Sequence, residues 1–144
     1  MSVGRICVRR VVIASHGESV REAAGRMLSE DVGALVVLDA ERRPVGIVTD
    51  RDLVARCLAE RRDPEQTTVG DVMSKPAARV NERTSIEDAL AEMMRTRARR
   101  LPVVDDEGRL IGILALDDVL ELLVEESATI GRLLARRGPP PASR

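Results

Sequence analysis

The 144-residue chain contains no phenylalanine, tyrosine or tryptophan. Stacking of bases on aromatic platforms, the usual device of single-strand and RNA binders, is therefore excluded. Any planar ligand has to be held between aliphatic side chains and by backbone hydrogen bonds. His16 is the only histidine, so neither a histidine-rich metal site nor a pair of histidine ligands on one helix can be assembled within a chain, and no metal is expected. The two cysteines, Cys7 and Cys57, lack C-x-x-C spacing and supply no disulfide framework. No apolar run reaches membrane-spanning length and no signal-peptide pattern is present, so a reduced, cytoplasmic setting is the simplest expectation. An excess of charge is also missing. Against 24 acidic residues stand 23 basic ones, a formal net charge of −1, and no overall field draws the chain toward nucleic acid or membrane.

What is present is enough apolar material for a core, 44% of the chain, in one compact unit or two very small ones. The basic residues are nearly all arginine, which suits phosphate or carboxylate contacts but is also a common surface choice. The strongest signal is an internal repeat. Shifted by 66 positions, "SVREAAGRMLSEDVGALVVLDAERRPVGIVTDRDL" (19 to 53) aligns without a gap on "SIEDALAEMMRTRARRLPVVDDEGRLIGILALDDV" (85 to 119). Eleven of the thirty-five pairs are identical, and the same offset pairs Val3-Gly4 with Val69-Gly70.

Each copy reads as β-α-β-β-α, giving a mixed α/β fold. Ser19 with Glu22, and Ser85 with Asp88, are helix-start signals before amphipathic runs of about three turns, with Thr84 and Glu87 offering an alternative register. "ALVVLD" with "VGIVT", and "RLPVVD" with "IGILA", predict two hairpins closed by "AERRP" and "DEGRL". Short first strands are expected around "RVVIA" and "ARVNE". A second helix begins near Asp50 or Leu116, and a short helical turn at "VGRIC" or "VGDVM" precedes each copy. A unit this small cannot cover both faces of its sheet, which predicts two copies packed about an approximate twofold axis. The expected bounds are 3–60 for the first copy, 61–68 for a polar connection, 69–125 for the second copy, and 126–144 for an extension whose "RRGPPPASR" end is expected to be disordered.

Candidate chemistry concentrates in "VTDRD". Thr49, Asp50 and Asp52 are what an ordinary helix N-terminus selects, yet the repeat keeps only one of them, because Asp118 matches Asp52 while Ala115 and Leu116 replace Thr49 and Asp50. Cys57 lies on the apolar stripe Leu53, Val54, Cys57 and Leu58, which points to a buried thiol and not to a nucleophile served by His16. Asp105-Asp106 and Asp117-Asp118 sit at a hairpin and a helix start, not as opposed catalytic carboxylates. In the last helix, Leu116, Val119, Leu120, Leu122, Leu123 and Val124 spread over an arc of about 200°, wider than one core-facing stripe needs.

Tandem β-α-β-β-α copies, each with "h-h-V-h-D", then "h-G-I-h", then an Asp six residues after the glycine, resemble a CBS-domain pair, the module named for cystathionine β-synthase. The resemblance covers about residues 3 to 125. It implies a non-catalytic regulatory module that requires no cofactor. The ligand it implies contains adenosine, such as AMP, ADP, ATP, S-adenosylmethionine or NAD, held in clefts between the two halves. By that resemblance the S/T-x-x-D corner binds ribose through its Asp and phosphate through its hydroxyl. Thr49 and Asp52 carry the whole pattern, whereas Ala115 and Asp118 lack the hydroxyl, so the first corner is the better nucleotide site. Base contacts are implied around Ile13, Ala14 and Ala34 in the first copy and Ala78, Val80 and Leu101 in the second. Arg51, Arg99 and Arg100 are in position to reach phosphate, with a solvated surface role as the competing reading. The resemblance further implies a homodimer formed through the wide apolar helix, extended by a further short helix at "TIGRLLARR", and a protein partner regulated in trans. The alternative is a structural or stress-related interaction module with no physiological nucleotide.

Overall fold

In the computed structural model, which describes residues 1–75 and 78–136, the two copies form two three-stranded sheets of the same design. The first sheet contains β1 (Ile13–Ser15), β2 (Ala34–Leu38) and β3 (Pro44–Thr49), with β1 parallel and β3 antiparallel to β2. The second contains β4 (Val80–Asn81), β5 (Arg100–Val104) and β6 (Leu110–Ala115) in the same order and senses. The parallel crossovers are α1 (Val20–Glu30) and α4 (Ile86–Thr96). Both start where the capping signals place them: Ser19 Oγ accepts the Glu22 N–H and Ser85 Oγ accepts the Asp88 N–H, each at 3.1 Å. After β3 comes α2 (Asp50–Leu53), which widens into a π-turn over Val54–Leu58. After β6 comes α5 (Leu116–Ala135).

The motif residues have local reasons. Asp39 Oδ1 accepts the N–H groups of Glu41 and Arg43, both at 2.9 Å, and Asp105 Oδ1 does the same for Glu107 and Arg109 at 2.9 and 3.0 Å. Each aspartate thus closes its hairpin as an Asx turn. Alternation does the rest. Leu35 and Val37 on β2, and Leu101 and Val103 on β5, point into the helix-covered cores, while Val36 and Pro102 on the opposite faces are also fully buried. Both sides of each sheet are covered.

The turn that precedes each copy in sequence packs on the other copy in space. The 3-10 turn Val3–Arg5 places Val3 and Cys7 in the second core beside Val80, Leu101 and Val119. The short helix α3 (Val69–Val72) places Val69 and Val72 in the first core beside Leu35, Leu53 and Cys57. The hydrogen bonds are related by the repeat offset. Val3 and Gly4 donate to Thr84 and Glu82 carbonyls at 2.8 Å, and Val69 and Gly70 donate to Glu18 and His16 carbonyls at 2.8 and 2.9 Å. Val8 and Ile113 exchange two backbone bonds, as do Ile47 and Ser74.

Three further placements bear on the expectations. The connection 61–68 is docked: Val20 N–H donates to the Thr67 carbonyl at 2.9 Å, Arg21 N–H to that of Pro64 at 3.1 Å, and Thr67 is buried. No further short helix forms at "TIGRLLARR". α5 runs through Gly131 as a single helix of 20 residues, because nothing in that stretch breaks the 3.6-residue period. The expected disorder of the terminal residues lies, from 137 onward, outside the described residues.

The glycine of "h-G-I-h" marks each crossing. A Cβ at Gly112 would stand 2.8 Å from Cys7 Sγ and 2.9 Å from the Val8 carbonyl oxygen; at Gly46 it would run into Met73 Sδ, with the Ser74 carbonyl 3.2 Å away. Backbone cannot yield at Gly112, whereas a thioether can at Gly46. Gly112→Ala is expected to destabilise the fold by about 1–3 kcal/mol, and Gly46→Ala by less. Urea unfolding of the two variants measures the difference.

Candidate functional site

The end of β3 is where one half meets the other. Thr49 is the N-cap of α2, and its hydroxyl oxygen accepts the Asp52 N–H at 3.1 Å while Asp52 Oδ2 accepts the Thr49 N–H at 2.9 Å. This is a complete capping box. It leaves capacity on both side chains. The Thr49 O–H is still free to donate, since the cap uses only a lone pair. Asp52 Oδ1 has Arg56 Nε 3.9 Å away as its ion-pair partner, and the carboxylate is mostly buried, 15% exposed. Asp50 serves its own helix start, accepting the Arg51 N–H at 2.8 Å.

The pseudo-equivalent corner is weaker. Asp118 Oδ2 accepts the Ala115 N–H at 3.3 Å, but Ala115 has no oxygen to return a bond to the Asp118 N–H. α3 shows the complete form again, in Thr68 and Asp71. There the Thr68 N–H, as the largest influence, holds the Asp71 carboxyl below the usual aspartate range.

Beside Thr49 lies a cleft of about 290 Å³ walled by both repeats. Ile47 and Thr49 form one side. The other consists of Ser74, Lys75 and Ala78, from the segment between α3 and β4, and of Thr96 to Arg100, the turn from α4 into β5. Reversal at that turn requires Arg97 to adopt φ 55°, with its N–H donated to Met93 and Met94 carbonyls. The turn therefore presents Arg97, Arg99 and Arg100 together, all exposed.

Of the residues singled out in the sequence, this cleft brings together Thr49, Ala78, Arg99 and Arg100. Asp52 is not in its lining but is bound to Thr49. Ala34 is half-buried and pairs with Thr49 across the β2–β3 ladder. Ala14 has its side chain in the first core, and Val80 and Leu101 have theirs in the second, so only their backbones are available to a ligand. Arg51 is exposed on α2 outside the cleft, and Asp118 caps α5. Sequence reasoning did not find Ser74, Lys75, Thr96 or Arg97. No motif marks them, although the repeat offset pairs Lys75 with Arg9 and Arg97 with Asp31.

Ile13 lines a different, open groove of about 450 Å³ along β1, with Arg10, Glu18, Arg26 and Glu30. Its charges are already matched. Arg10 pairs with Glu30 at 3.1 Å, and Arg26 donates to both Glu18 oxygens at 2.7 Å. Burial pushes the Glu18 carboxyl up, but the bonds from Arg26 and from Ser15 N–H outweigh it, and the group sits below the usual glutamate range. The groove belongs to one repeat only. Other chemistry finds little support. Cys57 is fully buried, burial pushes the Cys7 thiol up, and His16 lies exposed in the turn after β1. Among the described residues no three His, Cys, Asp or Glu side chains are grouped to hold a metal.

The difference between the two corners is testable on the protein alone. Thr49→Ala is expected to lower stability by about 0.5–2 kcal/mol, and Ala115→Thr, by completing the second box, to raise it by about 0.5–1 kcal/mol. Urea midpoints of the two variants read both signs.

The CBS-domain family model matches residues 3–59 and again 69–125. An uncharacterized protein of Methanopyrus kandleri is 35% identical over 130 residues, 90% of this chain and 66% of that protein, so this chain spans just under two thirds of its length. The CBS domain-containing protein YhcV of Bacillus subtilis is 38% identical over 118 residues, 82% of each chain. The crystal structure of CBSX2 in complex with AMP, from Arabidopsis thaliana, superposes with a TM-score of 0.73 at 29% identity over 86% of this chain and 97% of that one. With two copies matched, and a duplicated fold whose leading turns are exchanged between halves, the chain belongs to the CBS-domain family as a tandem pair.

Proposed function

We propose that this chain is a regulatory, non-catalytic module that binds an adenosine-containing ligand in the cleft beside Thr49 and passes its bound state to a protein partner in trans. The observation that carries this reading is the Thr49–Asp52 corner, whose Thr49 lines a cleft shared by both repeats. A donor hydroxyl for phosphate and a carboxylate with one lightly engaged oxygen for ribose stand next to free cations and aliphatic walls. The structure of CBSX2 with AMP supports an adenosine ligand for a protein of this kind. In this reading signalling acts through the relative orientation of the repeats. A ligand touching both repeats favours the relative orientation that it fits best, and the shift is limited by its difference in affinity between orientations.

A second copy of the chain covers the exposed apolar helices in this reading. Val54 and Leu58 after α2, and their repeat partners Leu120 and Val124 on α5, are all more than half-exposed or close to it, and Leu123 joins them. A patch repeated in both halves suits a homodimer with a shared twofold axis. Among the described residues no helix is long and apolar enough to cross a membrane.

Calorimetry and thermal shift against AMP, ADP, ATP, NAD and S-adenosylmethionine test the ligand. A ligand at 100 times its Kd is expected to add about 2.7 kcal/mol per site; no shift with any of them favours an interaction module without a nucleotide. Asp52→Ala is expected to weaken binding by about 10- to 150-fold and to remove half of the capping box. Light scattering is expected to give a dimer mass that Leu123→Glu reduces to the monomer. A wild-type monomer at micromolar concentration refutes the dimer.

A further inference from the structure

The two repeat-related corners differ sharply in the charge placed around them. Four cations line the Thr49 cleft: Lys75, Arg97, Arg99 and Arg100. At the repeat-related positions stand Arg9, Asp31, Gly33 and Ala34. Arg9 is already engaged, donating to the Gly4 carbonyl at 2.9 Å. None of the four cations forms an ion pair among the described residues, which is also true of Arg5, Arg42, Arg51 and Arg79; what sets the four apart is that they line one cleft.

Clustered unpaired cations repel one another, and an anion placed among them relieves that cost. Scattered surface arginines would carry no such meaning. These are gathered around one cleft, held by the αL turn at Arg97 and next to a hydroxyl whose proton is free. A monophosphate brings about two negative charges and a triphosphate about two more. The cluster has capacity for the larger number. Arg99 and Arg100 also border a smaller cavity of about 180 Å³ at the second corner, but there Asp117 opposes them and the hydroxyl is missing.

We infer that the Thr49 cleft selects its ligand by phosphate number, taking a nucleoside di- or triphosphate in preference to the monophosphate or to an uncharged or cationic adenosine compound, and that the repeat-related cleft takes no polyphosphate. The inference rests on the adenosine-ligand reading of the cleft. It makes the module a reader of phosphorylation state with one polyphosphate site per chain. Its selectivity comes from Lys75, Arg97, Arg99 and Arg100, none of which belongs to the S/T-x-x-D corner.

Titration calorimetry of the full chain in magnesium-free buffer with adenosine, AMP, ADP and ATP tests it. ATP is expected to bind with one site per chain and at least about tenfold more tightly than AMP, with ADP between them. The gap is expected to narrow as salt is raised, since exposed charges are screened beyond about 8 Å at physiological ionic strength. The double variant Arg97→Gln/Arg99→Gln is expected to lower the ATP-to-AMP affinity ratio at least fivefold, with an unchanged urea midpoint showing that the fold is intact. AMP binding as tightly as ATP, two equal ATP sites per chain, or a ratio untouched by the double variant each overturns the selection while leaving the adenosine-ligand reading in place. Failure of every adenosine compound to bind overturns both.

Discussion

Each core of this molecule contains a segment supplied by the other repeat, and the rest of the structure depends on that exchange. Val3 and Cys7 complete the second core, and Val69 and Val72 the first. A three-stranded sheet with one crossover helix is too small to bury both of its faces, so neither repeat closes without the other. The exchange is fastened by backbone hydrogen bonds at fixed spacing, and these pass the edges of β3 and β6 at Gly46 and Gly112, where the chains approach closely. Backbone approach is what matters.

The same crossing builds the site. Once α3 has packed on the first sheet, the chain leaves it past Ile47 and Ser74, and Lys75 and Ala78 arrive beside Thr49. The parallel β4–β5 pairing then requires α4 to reverse at Arg97, which delivers the arginine turn to the opposite wall. The walls of this cleft are the end of a strand in one half and a helix-to-strand turn in the other. Under the proposed function, contact with both halves is what would let a ligand act on their relative orientation, because a ligand shifts only an equilibrium whose two states it binds differently.

Pseudo-symmetry of the backbone does not extend to chemistry. One corner has a complete capping box and the other half of one. One cleft gathers four cations, while its counterpart has a tethered arginine, an acid and two small residues at the same positions. The two frames share one design and differ in side chains at a few positions, with the same hydrogen-bonded scaffold beneath.

Much of this was legible in the chain because it is local. Capping serines, alternating β-branched runs, turn aspartates and the 66-residue offset act over a few residues or repeat in register, so strands, helices, the duplication and the Thr49–Asp52 corner follow from sequence by short-range physics. Burial of Cys57 followed from the helical stripe for the same reason. The exchange of leading turns was not legible, since "VGRIC" and "VGDVM" fit their own copy and the other equally well as patterns. Nor was the second wall of the cleft. Ser74, Lys75, Thr96 and Arg97 carry no motif and meet Thr49 only through a long-range crossing, and Ala14, Val80 and Leu101 turned out to direct their side chains into the cores. The sequence by itself determined the repeating unit and the Thr49–Asp52 corner. Which distant residues face that corner, and with what charge, was decided only by tertiary packing, because proximity between segments so far apart in the chain is set by which buried surfaces fit together and not by any periodicity along it.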